Sequence, residues 1–424
     1  MQTQTNYKKI ASHEVHEGAQ INKVVLLYSG GLDTSVMLKW IQDSYGAEVI
    51  ALTIDIGQQA DDLEAIKQKA IKLGAKKAIV LDCKEEFANE FIAKAIKANG
   101  SYQGEYHLST PIGRPLLAKK AVEIAQAEGA TVIAHGATGK GNDQVRIESS
   151  ILCEDPYMKV IAPVREWSMG RDEQLKYAAK HGIETKQAKN NVPYSWDDNM
   201  WGVTGEGGEI EDPKQEPKLE QILQVTTLPE HAPDKPEYLE LEFSKGLPVA
   251  LNGNKLSLVE LIHTANSIVG KHGVGYTILI EDRLVGLKVR GVYEAPAAHA
   301  ITLAHYNLEK LVSTQTENEL KEFVDSKWAY LCYSAKWQEP TMQHLNAYID
   351  SMNQKVSGIV KLKLYKGRAD VVSVTSPHSL FDADLATFNK NGKFNQNSSA
   401  GFIELYSLAM KTSSKVKNHF KESV

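Results

Sequence analysis

The segment Ser29-Gly30-Gly31-Leu32-Asp33-Thr34-Ser35 puts two adjacent glycines, three hydroxyls and a carboxylate within seven residues. Glycine lets the backbone turn sharply and bring N–H groups close to an anion. A helix-like apolar pattern follows, so the positive end of a helix dipole points at the same spot. No lysine occurs between Lys23 and Lys39, which rules out the Walker pattern with its phosphate-binding lysine. The glycine spacing of a dinucleotide loop is missing here too. What remains suits a pyrophosphate held by backbone, hydroxyls and a metal, in an enzyme that cleaves ATP at the α-phosphate. Asp33 would organise the pyrophosphate–Mg²⁺ end. Its plainer role, not exclusive of the first, is a helix N-cap.

A second segment runs Ala134-His135-Gly136-Ala137-Thr138-Gly139-Lys140-Gly141-Asn142-Asp143-Gln144-Val145-Arg146. Three glycines within six residues demand unusual backbone angles or a closely approaching ligand. Thr138, Asn142, Asp143 and Arg146 add a hydroxyl, an amide, a carboxylate and a guanidinium. That set can grip an amino acid, with Arg146 bidentate on the carboxylate and Asp143 on the amine. The bland alternative has Asp143 capping a helix and pairing with Arg146 three residues on, worth roughly a few tenths of a kcal/mol.

Both segments need strands behind them. Apolar strand-like runs at Lys23–Tyr28, Glu48–Ile54, Lys77–Asp82, Thr131–Ala134 and Lys159–Ala162 alternate with helix-like periods. The helices are expected over Thr34–Tyr45, Asp61–Leu73, Glu85–Ala98, Pro115–Glu128, Asp143–Leu152 and Arg171–His181. Such alternation predicts an α/β unit, a Rossmann-like parallel sheet with helices on both faces. Ligands collect at the carboxyl ends of its strands, where both loops open. After about residue 183 the composition changes, and five of the 14 prolines lie between 213 and 236, an extended, exposed excursion. Beyond it, strands at Glu237–Phe243, Tyr276–Ile280, Leu284–Tyr293, Gly358–Tyr365 and Ala369–Thr375, with helices at Ser257–Val269 and Thr341–Val356, predict a second, α+β domain. Residues 387–399 read as a loop. The tail from Ala400 starts apolar and ends basic, a pattern that suits docking on a neighbouring subunit or, equally, folding back on its own domain.

With 424 residues, 42% of them hydrophobic, the chain can bury two sizeable cores. A net charge of −5 with no basic block argues against nucleic acid as a partner. No stretch approaches a membrane span, residues 1–21 read as a mobile extension, and three scattered cysteines form no disulfide framework or zinc pair. These features predict a soluble, cytoplasmic protein. Among the 13 histidines no convincing metal pair occurs.

Taken together, YSGGLDTS, HGATGKGNDQVR, KVIAPVREW (159–167), KHGVG (271–275) and EDR…KVRGVYE (281–294) resemble argininosuccinate synthases, in order, from about Lys23 to past Leu408. The first motif alone is shared by N-type ATP pyrophosphatases generally. The resemblance implies an N-terminal extension (1–21), a nucleotide-binding domain (22–185), a synthetase domain (186–385) and a C-terminal tail (386–424) that joins a homotetramer. It places ATP on Leu27, Tyr28, Ser29, Gly30, Gly31, Leu32, Asp33, Thr34 and Ser35, with Ile54, Ala134, His135 and Gly136. Aspartate would meet Thr138, Asn142 and Asp143. Citrulline would meet Tyr106, Asn142, Arg146, Ser195, Thr204, Glu281 and Tyr293. Asp33 and Asp143 are the expected catalytic carboxylates, ATP is a substrate, and Mg²⁺ is held mainly through its phosphates.

Departures cluster on the citrulline side. Where the family carries a serine in a segment like LGTSLARP, this chain reads Leu108-Ser109-Thr110-Pro111-Ile112-Gly113-Arg114-Pro115. Proline cannot donate that hydrogen bond, although Ser109 or Thr110 can replace it. Thr204 stands where a serine is common and keeps the hydroxyl; Met200–Val203 and Ala295–His299 also differ. The implied reaction is attack of a ureido oxygen on the α-phosphate, expulsion of pyrophosphate, and displacement of AMP by the aspartate amine. The alternatives are another N-type ligase, a tRNA-thiolating transferase, and a catalytically silent paralogue that senses metabolites.

Overall fold

Val24, Val25 and Leu26 are consecutive and all fully buried, which requires a strand covered on both faces. The computed structural model describes residues 20–59, 62–167, 169–184, 193–387 and 392–422. The expectation for the N-terminal extension falls almost wholly outside them. The first sheet contains β1 (Lys23–Leu27), β2 (Glu48–Asp55), β3 (Lys77–Asp82), β4 (Val132–Ala134) and β5 (Lys159–Ile161). Its order is β3-β2-β1-β4-β5, and every pairing is parallel. Alternate residues feed different cores: Val24 and Leu26 join one apolar cluster, Val25 the other. The strand order reverses between β1 and β4, so their following loops diverge and open a crevice.

Two helices depart from expectation. The helix expected from Pro115 begins at Ser109, because Pro111 sits in its first turn, where a missing N–H costs nothing. Pro115 is carried within the helix interior. Its N-cap, Leu108, has φ 61°, a left-handed conformation rare for a leucine. The helix expected over Glu85–Ala98 contains a π-helical stretch, Phe87–Ile92. Phe91 from this stretch stacks on Trp337 at 5.2 Å.

The rest of the chain to His378 builds two antiparallel sheets. One is β11-β12-β7-β6, made of β6 (Tyr194–Asn199), β7 (Gly202–Gly207), β11 (Tyr276–Asp282) and β12 (Lys288–Glu294). The other is β10-β9-β8-β13-β14, made of β8 (Glu237–Ser244), β9 (Leu247–Leu251), β10 (Asn254–Lys255), β13 (Gly358–Tyr365) and β14 (Arg368–Thr375). Helices Leu258–Lys271, Pro296–Val312, Gln315–Tyr333 and Pro340–Asn353 accompany them. Leu284–Leu287, expected in a strand, form the turn before β12. Chain contacts divide the molecule into a unit ending at His378 and another from Ser379. Within the second unit, helices Ser398–Tyr406 and Leu408–Glu422 leave Phe402, Ile403, Leu405, Tyr406 and Leu408 more than half exposed.

Candidate active site

The two glycine-bent segments leave the carboxyl ends of β1 and β4, the neighbouring strands where the sheet order reverses. In the first, Gly30 has φ +77°, and a Cβ there would stand 3.0 Å from Ile66. Ser29 and Thr34 share a hydroxyl contact at 3.1 Å, and Tyr28 and Ser35 another at 3.1 Å. A lysine does reach this loop, though from outside it: Lys69 Nζ donates to the Gly30 carbonyl at 2.7 Å. Gly31 is the helix N-cap and Asp33 lies in the first turn, so the capping role expected as the plain alternative for Asp33 goes to glycine. In the second segment Gly136 is required by packing, since a Cβ would fall 2.5 Å from Met37 Cε. Gly139 and Gly141 have ordinary backbone angles, and a Cβ at Gly139 would meet nothing within 4 Å. None of the three has a positive φ, so none is demanded by backbone geometry. His135 is turned inward, with Nδ1 accepting from Ala137 N at 3.1 Å and Nε2 against Glu148 at 3.0 Å. Only its backbone is left for a ligand.

Two cavities meet at this edge. The first, about 360 Å³, is lined by Leu27, Tyr28, Ser29 and Ile54, with Leu52, Ile66, Leu117 and Arg114 among the others. The second, about 400 Å³, gathers Tyr106, Thr138, Asn142, Asp143, Arg146, Ser195, Thr204, Glu281 and Tyr293. Those nine are every residue assigned to aspartate or citrulline from the sequence. Asp33 and Gly136 line it as well, and Trp196 and Asp197 belong to both cavities. Gly30, Gly31, Leu32, Thr34, Ser35, Ala134 and His135 line neither.

Charge in the second cavity is arranged around Asp143. Its Oδ2 accepts from Arg114 Nη2 at 2.7 Å and its Oδ1 from Arg146 Nη1 at 2.8 Å. Burial alone would raise the Asp143 pKa, but Arg114 and then Arg146 outweigh it and take it down to about 2. The Asp143–Arg146 pair expected as the bland alternative thus exists, at the floor of a cavity. Arg114 also bonds Asp197, which accepts from Thr110 Oγ1 at 2.8 Å. Burial raises Asp197, and it raises Glu206, which pairs with Arg283. Arg283 Nε contacts Glu281 at 3.2 Å. Tyr106 and Tyr293 face one another at 4.3 Å, and burial pushes the Tyr106 hydroxyl up to about 12. Arg146 Nη2 is buried with no hydrogen-bond partner, a cost that a ligand oxygen would relieve.

At the main departure from the family pattern, Pro111 is buried and lines neither cavity, whereas Thr110 reaches the second one. Its hydroxyl lies 3.3 Å from that of Thr204. Several lining residues escaped the sequence reading. Asp197, Glu206 and Trp196 sit on β6 and β7, where glycines and charges hide any alternation. Arg283 sits in the turn before β12, two residues beyond Glu281, which the resemblance did assign. Arg114 had a signal, as the arginine of the LSTPIGRP segment. Among the described residues no group of three or more His, Cys, Asp or Glu side chains could hold a metal ion.

Comparison with known proteins accords with this geometry. Residues 23–184 match the arginosuccinate synthase N-terminal HUP domain, and residues 194–413 match the arginosuccinate synthase C-terminal domain. The argininosuccinate synthase of Carboxydothermus hydrogenoformans is 48% identical over 390 residues, covering 92% of this chain and 96% of that protein. That of Pyrococcus furiosus is 50% identical over 386 residues, covering 91% and 93% respectively. That of Caldanaerobacter subterraneus is 48% identical over 390 residues, covering 92% and 94%. With two lined chambers at the sheet's switch point and identity near one half along almost its whole length, this chain belongs to the argininosuccinate synthase family.

Proposed function

We propose that the protein is an AMP-forming carbon–nitrogen ligase that joins citrulline and aspartate at the expense of ATP, releasing AMP and pyrophosphate. One observation carries this: all nine residues expected to bind the two amino acids line a single cavity, walled by two residues of the next. The first cavity, with Leu27, Leu52, Ile54 and Leu117, suits the adenosine. The Ser29–Ser35 loop, with backbone N–H groups at a helix start, suits the departing pyrophosphate.

A ureido oxygen leaves readily only once it carries AMP. The second cavity holds it near the α-phosphate, so proximity supplies much of the rate. Arg114, fixed between Asp143 and Asp197, faces the first cavity and stabilises charge on the phosphoryl oxygens. Asp143, with a pKa of about 2, is an anion at neutral pH. It orients the aspartate amine and is too weak a base to deprotonate it. Asp197 and Glu206, raised by burial, are better suited to take a proton. The lining carries five carboxylates (Asp33, Asp143, Asp197, Glu206, Glu281) and two guanidiniums (Arg146, Arg283). That excess of negative charge favours ammonium groups and a divalent cation. Asp33, without a protein partner, fits Mg²⁺ held otherwise by phosphate oxygens, where the metal would neutralise the pyrophosphate.

The division at about residue 185 and the assembly of four chains through the exposed apolar helices 398–422 belong to the same reading, as does a cytoplasmic location, which fractionation of cells would test. A sedimentation mass other than four chains would refute the tetramer. The deciding experiment for the reaction measures pyrophosphate and AMP. Release should require citrulline and aspartate together; ADP and orthophosphate as products would overturn the reading.

A further inference from the structure

Tyr333 lies at the C-terminal end of the helix Gln315–Tyr333, lines no cavity, and is fully buried. Its ring is sandwiched. Tyr102 stacks on one side at 3.6 Å and 3° between planes, and the Arg146 guanidinium sits over the ring at 4.7 Å. Its carbonyl, one of the last-turn acceptors that a helix leaves unpaired, accepts from Arg146 Nε at 2.9 Å. The negative end of the helix dipole favours a cation there. Its hydroxyl accepts from Asn142 Nδ2 at 2.8 Å, and burial, with the nearby Glu281 carboxylate, pushes its pKa up. Asn142 in turn accepts from Leu284 N at 2.9 Å, which pins the turn before β12. Tyr333 therefore contacts both Asn142 and Arg146 and, through Asn142, is tied to the turn before β12.

We infer that Tyr333 is a positioning residue for the ureido substrate, holding Arg146 edge-on and fixing Asn142 through its hydroxyl. With Nε taken by Tyr333 and Nη1 by Asp143, Arg146 can present only its outer edge, including the unpartnered Nη2, to a ligand. The inference rests on the reading that this cavity takes a ureido amino acid.

Tyr333→Phe keeps the sandwich and the carbonyl and deletes only the hydroxyl that Asn142 bonds. The expected result is a KM for citrulline raised roughly 10- to 50-fold, with KM for ATP and kcat within about threefold. Tyr333→Phe combined with Asn142→Ala should lose far less than the product of the two single effects, because both remove the same bond. An unchanged KM for citrulline, equal rises for all three substrates, or strict additivity would overturn the role. Calorimetric binding of citrulline separates the two levels. No binding to the unmodified protein removes the ureido reading and this role with it, whereas equal binding to unmodified and Tyr333→Phe proteins removes the role alone.

Discussion

Two buried clusters in this molecule both set carboxylates around cationic side chains and do different work. In one, Asp143 and Asp197 share Arg114, and Asp143 also holds Arg146. In the other, Lys321 Nζ meets Asp325 at 2.6 Å, Glu309 at 3.1 Å and the Lys97 carbonyl at 2.9 Å. Asn99 closes that second ring by donating to Glu309 and Asp325, at 2.8 Å each. His305 then ties Asn99 to Asn353 at 2.7 Å on each side. A cavity of about 380 Å³ lies against the second cluster too, so space does not distinguish them. Bonding does. In the Lys321 cluster, which spans three helices and the Lys97–Asn99 segment, Glu309 Oε1 lacks a hydrogen bond but lies 3.1 Å from the opposite charge of Lys321 Nζ, whereas Arg146 Nη2 of the Asp143 cluster has no partner. The first kind of cluster staples a fold, and the second waits for a ligand.

That contrast can be broken by substitution. Asp143→Asn should cut kcat by roughly 10²- to 10³-fold in steady-state turnover, with the protein still folded; near-normal turnover would remove Asp143 from the site. Lys321→Met strands two buried carboxylates and should cost about 3–5 kcal/mol in denaturant unfolding, while the folded fraction keeps its KM values. A shifted KM would mean the second cluster also serves the site. The smallest effect is in pH dependence. Burial, chiefly, lifts Asp325 to about 7 from its ordinary 3.8, so the folded state holds that proton more tightly. Its stabilising share is full below about 3.8 and fades as pH rises to about 7. Asp143, lowered to about 2, contributes above its ordinary value and fades as pH falls through about 2. Unfolding curves of Asp325→Asn and Asp143→Asn against the unmodified protein should therefore diverge at opposite ends of the scale; parallel curves would contradict both assignments.

Much of this was legible in the chain. β1 to β5 stood out because continuous apolar runs contrast with the helical period between them, and the glycine loops then had to share one edge. The hairpin β6–β7 did not stand out, because Gly202, Gly205 and Gly207 alternate with polar and charged residues. It is a strand pair through its partners, with Thr204 opposite Asp197 on one side and Tyr293 on the other. The helix Gln315–Tyr333 had a readable start that went unused: Thr314 and Glu317 form a capping box with both bonds made. Its far end could not be read, since Tyr333 touches Asn142 across 191 positions of chain. Arg114 was visible as a residue, but its two carboxylate partners lie on elements distant in sequence.

Strand β6 backs both chambers, with Ser195 toward the amino acids, Asp198 toward the nucleotide, and Trp196 and Asp197 shared. A slip of one residue in its pairing with β7 would turn every one of those side chains to the opposite face. Both compartments would then be lost at a stroke. Changes of substrate preference in this architecture enter most readily through the opposing walls, such as the start of the helix Ser109–Glu128, where this chain reads LSTPIGRP.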